Sequence, residues 1–321
     1  MNIKWYLLNS GKLLEQASPV EWPQMDGVDT GERWFDIGDA NPEELRLFLN
    51  NLDLHPVQLA RCLDSINDPG VISFEKTLLM EYPTAFDVGS ENPGYLTIII
   101  KGPVLVTIRH GPTPSLDNLI QELTAKDASP LRHLPQIVYL ILDQFTDLNV
   151  DAQIDIREQI LREAKNLADD PNSVSANDLS RLRMQVDKLV SLIENQLYCV
   201  SGLNASDNST LQEPHRKAFI QDLVSEAEIA QRGIYRLENR INNLYNDYQM
   251  AGSDRVEKRL RFLTIVSMIT LPLGLIAGLL GMNVGGLPGT SFHYGFLVVI
   301  VLMLFIGFLE FLYFKRNGWF D

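Results

Sequence analysis

Residues 262–281 read FLTIVSMITLPLGLIAGLLG, twenty residues without a charge. Residues 294–314 read YGFLVVIVLMLFIGFLEFLYF, twenty-one residues whose one charge is Glu310. An α-helix of about 20 apolar residues crosses the roughly 30 Å of bilayer hydrocarbon. A core helix of a soluble protein is usually shorter, so the pair predicts two transmembrane helices, at about 260–282 and about 294–314.

The flanks give an orientation. Arg255, Lys258, Arg259 and Arg261 precede the first span and Lys315 and Arg316 follow the second, while the connection between them holds no Lys or Arg. Excess basic charge marks the cytoplasmic side. The apolar patch Ile3–Leu8 is too short for a signal-peptide core. The expectation is a multi-pass protein of the inner membrane with N- and C-termini cytoplasmic and the short connection outside.

The rest of the 321-residue chain is of another character. Residues 251–321 carry four acids and six bases, a balance of +2, so the net charge of −14 resolves into −16 for the first 250 residues. That argues against nucleic-acid binding, which requires a basic footprint. Cys62 and Cys199 stand far apart, and the five histidines show no ligand spacing. A disulfide framework and a cysteine zinc site are unlike this pattern. No HExxH, Walker loop, nucleophile elbow or GxGxxG after a strand is present, so the chain reads as no enzyme and as needing no cofactor.

Residues 1–133 read as an α+β domain. Strands are predicted at Ile3–Leu8, Arg33–Ile37, Leu78–Glu81, Tyr95–Ile100 and Val104–Arg109, the last two joined by a Lys101-Gly102-Pro103 turn. Helices start near Pro42, behind an Asn41 cap, near Pro56 and near Pro114. Residues 134–258 then read as long helices: Leu134–Ala168, Ser175–Val200, and a third from Pro214 to about Asn283 that forms a stalk entering the membrane part, 259–321. Seventy residues of helix would be roughly 105 Å long. Its apolar residues Phe219, Leu223, Ala227, Ala230, Ile234, Leu237, Ile241, Leu244 and Tyr248 step by three and four. The expectation is that this helix packs against copies of itself around a symmetry axis; a break at Ala251-Gly252-Ser253 is the alternative.

Steps of seven along the same helix give a stripe of small or polar residues, including Asn246, Ser253, Leu260, Ser267 and Gly274, with Leu271 on the adjoining stripe. A water-filled pore needs such a face, and Leu260 and Leu271 suit hydrophobic constrictions. Close packing of membrane helices is the competing reading of the same small residues. The span ends at Gly281-Met282-Asn283, before a Gly- and Pro-rich loop. An uncharged Asn283 amide at a pore mouth accepts hydrogen bonds from water around a hydrated cation; taken alone, Asn283 is also a good helix C-cap. Asp143, Asp147, Asp151 and Asp155 recur every four residues and suit either cation attraction or a solvated face. Glu310 is placed to pair with Arg261, to snorkel, or to couple protons.

Gly281-Met282-Asn283 before a short outer loop, two C-terminal spans, a large acidic front part and Leu54-His55-Pro56 together resemble the CorA superfamily of divalent-cation transporters. The resemblance implies a CorA-like pentameric funnel, a homopentamer embedded in membrane lipid with the first span lining the pore and Asn283 as the selectivity residue. The loop Val284-Gly285-Gly286-Leu287-Pro288-Gly289 lacks the acidic segment usual in the magnesium branch, and Ala60-Arg61 stands where that branch often has acids. Both features are similar to the ZntB branch, which implies zinc and proton-linked transport, with Mg, Co or Ni as other substrates. A passive magnesium or cobalt channel is the alternative, and a membrane-anchored metal-sensing or binding module without transport is the rival of another class.

Overall fold

The computed structural model describes residues 2–16, 31–63, 68–74, 76–86, 93–111, 113–125, 130–206, 214–282 and 294–319. They form two compact units, Met1–Leu244 and Tyr245–Asp321.

The first unit is built on one sheet. Its strands are β1 (Asn2–Asn9), β2 (Lys12–Gln16), β3 (Glu32–Gly38), β4 (Gly70–Phe74), β5 (Thr77–Phe86), β6 (Pro93–Lys101) and β7 (Val104–His110), ordered β2-β1-β3-β7-β6-β5-β4. Only β3 and β7 run parallel, with Phe35 opposite Val106. The five predicted strands are all present. The two that the sequence did not announce, β2 and β4, are five-residue edge strands. β2 returns on β1 through Ser10-Gly11, both with positive φ (50° and 82°), the conformation that a two-residue hairpin turn requires.

Alternation divides the sheet into two apolar faces. Phe35, Ile37, Leu79, Ile99, Val104, Val106 and Ile108 face α1 (Pro42–Leu49) and α2 (Pro56–Leu63). Trp34, Leu78, Met80, Tyr82, Leu96, Ile98 and Leu105 face α3 (Pro114–Thr124) and two long helices, α4 (Leu134–Asp169) and α5 (Ala176–Ala205). The Asn41 side chain caps α1 by accepting the Glu43 N–H at 3.1 Å.

The next helix, α6 (Pro214–Leu280), is continuous for 67 residues. It passes Gly252 without a break, since one glycine costs a helix only about 1 kcal/mol. It also passes Pro272, which removes a single N–H. The seam expected to meet other copies behaves differently: Leu223, Ala227, Ala230, Ile234, Leu237, Ile241 and Leu244 are buried inside the chain. The chain's own α4 and α5 cover that face. Tyr139 hydroxyl donates to Asp222 at 3.1 Å, Gln153 Nε2 donates to the Ala230 carbonyl at 3.1 Å, and Tyr235 hydroxyl bonds Glu194. The physical reason is proximity: two long helices of the same chain cover the seam before any partner is needed.

The second unit holds the membrane part of α6 and α7 (Gly295–Arg316). The apolar windows of the two helices are 6% and 0% buried, which is unlike core helices and fits helices solvated by lipid.

One polar side chain ties the layers of the first unit together. Gln196 on α5 is buried; its Nε2 donates to the carbonyls of Pro83 at 2.8 Å and Thr84 at 3.3 Å, and its Oε1 accepts from Asn149 of α4. Replacing it with Leu strands these groups, and each unsatisfied buried group costs about 1–3 kcal/mol. Gln196→Leu is therefore expected to lower stability by about 2–4 kcal/mol. Thermal unfolding of the full chain in detergent checks this as a fall of several degrees in midpoint.

Candidate functional site

The membrane part of α6 has two opposite sides. A side chain at Gly307 of α7 would meet Leu273 Cδ1 at 3.7 Å and Ile269 Cγ2 at 4.0 Å, so α7 packs across Ile269 and Leu273. Ile265, on the same side one turn earlier, and Phe314 are the buried side chains of this unit among the described residues. At about 100° per residue, Leu260, Ser267, Leu271 and Gly274 lie roughly 170° round the helix from that packed side. All four are exposed, as are Asn246 and Ser253 further down; Leu271 is 72% and Leu260 57% exposed. The stripe read from the sequence is thus the side that the chain leaves uncovered.

Its chemistry follows from backbone bonding. Ser267 hydroxyl donates to the Leu263 carbonyl at 2.9 Å, and Thr264, on the adjoining stripe, donates to the Leu260 carbonyl at 2.8 Å. With its proton engaged by the helix, each hydroxyl presents lone pairs outward, an acceptor surface. No heavy atom lies within 4 Å of a Cβ position at Gly274 or Gly278, so the stripe is open there. After α6 ends, the Gly281 N–H bonds the Ala277 carbonyl at 2.9 Å and Met282 is 52% exposed. Asn283, the third residue of the motif, lies outside the described residues.

Glu310 and Arg261 do not pair. Arg261 donates through Nε and Nη2 to Glu257 Oε1, at 3.2 and 2.7 Å. A carboxylate one helical turn away is the nearest partner that α-helix geometry offers. Glu310 Oε2 is enclosed and has no hydrogen-bond partner among the described residues.

The aspartates on α4 divide into two groups. Asp151 and Asp155 are exposed. Asp143 instead faces α6, where Asp222 and Glu226 complete a cluster with Asp147. Burial pushes the Glu226 carboxyl up to about 7, reinforced by its hydrogen bond with Asp143 and the charges of Asp143, Asp222 and Asp147. Asp143 is raised too, by burial first and by Asp147 and Asp222, while the bond with Glu226 opposes the shift. Asp222 and Glu226 were missed from sequence. Their spacing of four, matching that of Asp143 and Asp147 on a facing helix, is the signal that could have found them. No group of three or more His, Cys, Asp or Glu among the described residues is arranged to hold a metal ion.

Leu54-His55-Pro56 has a structural task. His55 Nδ1 accepts the Val57 N–H at 3.3 Å at the start of α2, and its ring stacks on Phe74 with centroids 4.1 Å apart. A separate cavity of about 470 Å³ opens where β3 and β7 end, beside Asp36, Arg109, Thr113 and Asp117. There Arg109 is held by Asp36 at 2.6 Å and Asp117 at 2.7 Å, and Thr107 hydroxyl donates to Asp36 at 2.7 Å. Arg109, Asp36 and Asp117 thus satisfy one another's charges.

An α/β unit whose last helix continues into the first of two helices of membrane-spanning length defines a class: membrane proteins with a large polar domain. Within it, the chain belongs to the family described as CorA-like Mg2+ transporter protein, whose model matches residues 29–316. It is 21% identical over 304 residues to the magnesium transport protein CorA of Helicobacter pylori strain 26695, covering 92% of this chain and 93% of that protein. It is 20% identical over 302 residues to the zinc transport protein ZntB of Photorhabdus laumondii, covering 92% and 90%. Its fold matches the complete structure of the CorA magnesium transporter from Methanocaldococcus jannaschii with a TM-score of 0.84, at 18% identity and 99% coverage of both chains.

The carboxyl cluster sets a pH dependence. Glu226 binds its proton more tightly folded than at its ordinary value of 4.5, so its contribution to stability falls as pH rises from about 4.5 through about 7. Glu226→Gln is expected to raise the thermal midpoint of the full chain by a few degrees at pH 8 and to leave it nearly unchanged at pH 4.5. Thermal scans across this range, wild type against variant, check the sign.

Proposed function

We propose that the chain forms a homopentamer in the inner membrane, with both termini cytoplasmic, and that it moves divalent metal cations along a pore lined by Asn246, Ser253, Leu260, Ser267, Leu271 and Gly274. Asn283 stands at the outer mouth and, with Gly281 and Met282, forms the selectivity motif. The observation that carries this reading is the uncovered side of α6 opposite α7. An apolar helix surrounded only by lipid has no need of an acceptor stripe, whereas helices ringed around water require one. An acceptor lining suits a cation that keeps its hydration shell, because the shell's water hydrogens point outward.

Zinc with proton coupling is the finer reading, supported by the acid-free loop after the motif and by the likeness to ZntB proteins. Passive conduction of magnesium or cobalt is the second reading, supported by the equally extensive likeness to CorA. The division of labour that this reading gives the chain is residues 1–133 as the α+β domain, 134–258 as helices and stalk, and 259–321 as the membrane part.

Flux into proteoliposomes distinguishes the readings. Zn, Mg, Co and Ni are compared with and without a pH gradient. Zinc flux driven by the gradient is the expected result, and gradient-independent magnesium or cobalt flux selects the second reading. Asn283→Ala is expected to lower flux by roughly ten-fold or more, the scale of losing about 1.4 kcal/mol at the selecting step. Flux unchanged by that substitution removes the pore-mouth assignment, and absence of flux in the wild type selects a binding module instead.

A further inference from the structure

The second unit contains a cavity of about 330 Å³ lined by Arg261, Asn317, Gly318 and Trp319. Its geometry is fixed by the end of α7. The Trp319 N–H bonds the Phe314 carbonyl at 3.2 Å and the Gly318 N–H bonds the Lys315 carbonyl at 3.4 Å, with Gly318 at φ 69°. This is a Schellman motif, and it turns the chain back along the helix. The Trp319 ring consequently folds onto Phe314, centroids 5.4 Å apart, and Phe314 is itself buried.

The cavity lies where hydrocarbon ends. Arg261 is the last charge before the uncharged stretch that starts at Phe262, and α7 passes from apolar Phe314 to Lys315 and Arg316 at the same boundary. Arg261 uses Nε and Nη2 on Glu257, leaving Nη1 without a partner among the described residues. Trp319 Nε1 and the Asn317 side chain likewise donate to nothing among those residues. Three residues that carry such donors therefore line one cavity, and Phe262 and Tyr313, next in sequence to Arg261 and Phe314, are 66% and 64% exposed. Donors at headgroup depth beside apolar surface match a ligand that is anionic at one end and apolar at the other.

We propose that this cavity binds the anionic headgroup of a membrane phospholipid. Arg261 pairs with the phosphodiester, the Trp319 indole N–H and the Asn317 amide donate to its oxygens, and the acyl chains lie along Phe262 and Tyr313. The site does not depend on conduction, and its readout is lipid retention rather than flux.

The test uses the full chain, purified and exchanged into phosphatidylcholine nanodiscs doped with phosphatidylglycerol, with retained lipid counted by native mass spectrometry. The wild type is expected to retain phosphatidylglycerol about five-fold over phosphatidylcholine, the effect of one well-placed basic residue at the membrane surface. Arg261→Gln is expected to abolish that preference, and Trp319→Phe, which keeps the ring on Phe314 and removes the N–H, to halve it or more. Arg259→Gln is the control, lying roughly 160° round the helix from Arg261. It should leave the preference intact; equal losses for Arg259→Gln and Arg261→Gln would show diffuse charge attraction and overturn the site. Equal retention of both lipids by the wild type overturns it as well. Displacement of the lipid by millimolar glycerol phosphate would mean that a free anion suffices, which also overturns the assignment. Size-exclusion profiles matched between Arg261→Gln and wild type tie the loss to the cavity; if Arg261→Gln does not fold, an unchanged preference in Trp319→Phe overturns the proposal by itself.

Discussion

In hydrocarbon a helix must satisfy its own polar groups, because no water is present to do so. The membrane part of α6 obeys this with side chains as well as backbone: Ser267, Thr264 and Thr270 each donate to the carbonyl four residues earlier. That bonding permits hydroxyls to sit in an apolar helix at all. It also decides what they show to their surroundings, which is oxygen lone pairs. α7 covers the side carrying Ile269 and Leu273, where Gly307 admits close approach, and the acceptor side stays free.

The first unit solves a different problem, that of joining a sheet to long helices through polar contacts that remain satisfied when buried. Gln196 does this for α4, α5 and β5. Arg109 of β7 likewise joins β3 and the short α3, where Asp36 takes Nε at 3.1 Å and Nη2 at 2.6 Å and Asp117 takes Nη1 at 2.7 Å. The acidic cluster between α4 and α6 is different, since carboxyls there face one another. Burial and the neighbouring carboxyls raise both Asp143 and Glu226, so protonation there favours the fold and its loss costs stability.

Much of this was legible in the residues. Two apolar stretches of spanning length, with Glu310 their one charge, need no tertiary information, and neither did the continuity of α6, because its one internal proline sits deep in the span. The Ile-, Val- and Thr-rich runs Tyr95–Ile100 and Val104–Arg109, joined by Lys101-Gly102-Pro103, marked two strands that lie inside the sheet. What was illegible depended on partners distant in the chain. β2 and β4 are short and become strands through pairing at the sheet edges. The seam from Leu223 to Leu244 has the spacing of a self-associating helix, and spacing does not say whether the covering helix belongs to the same chain. The sequence reading offered Arg261 only Glu310, and Glu257, one turn away on its own helix, took it instead. The stripe from Asn246 to Gly274 was readable as a side, whereas its position opposite α7 needed the packing at Gly307.

The membrane part of that stripe also has a property in what it omits. Leu260, Ser267, Leu271 and Gly274 include no group that gains or loses a proton in the physiological range. That side keeps the same charge in acid and in alkali, and offers no relay along which a hydron could hop. Responsiveness to acidity must therefore originate elsewhere in the chain, and the shared carboxyls of Asp143 and Glu226, far from the span in sequence, are groups equipped to sense it.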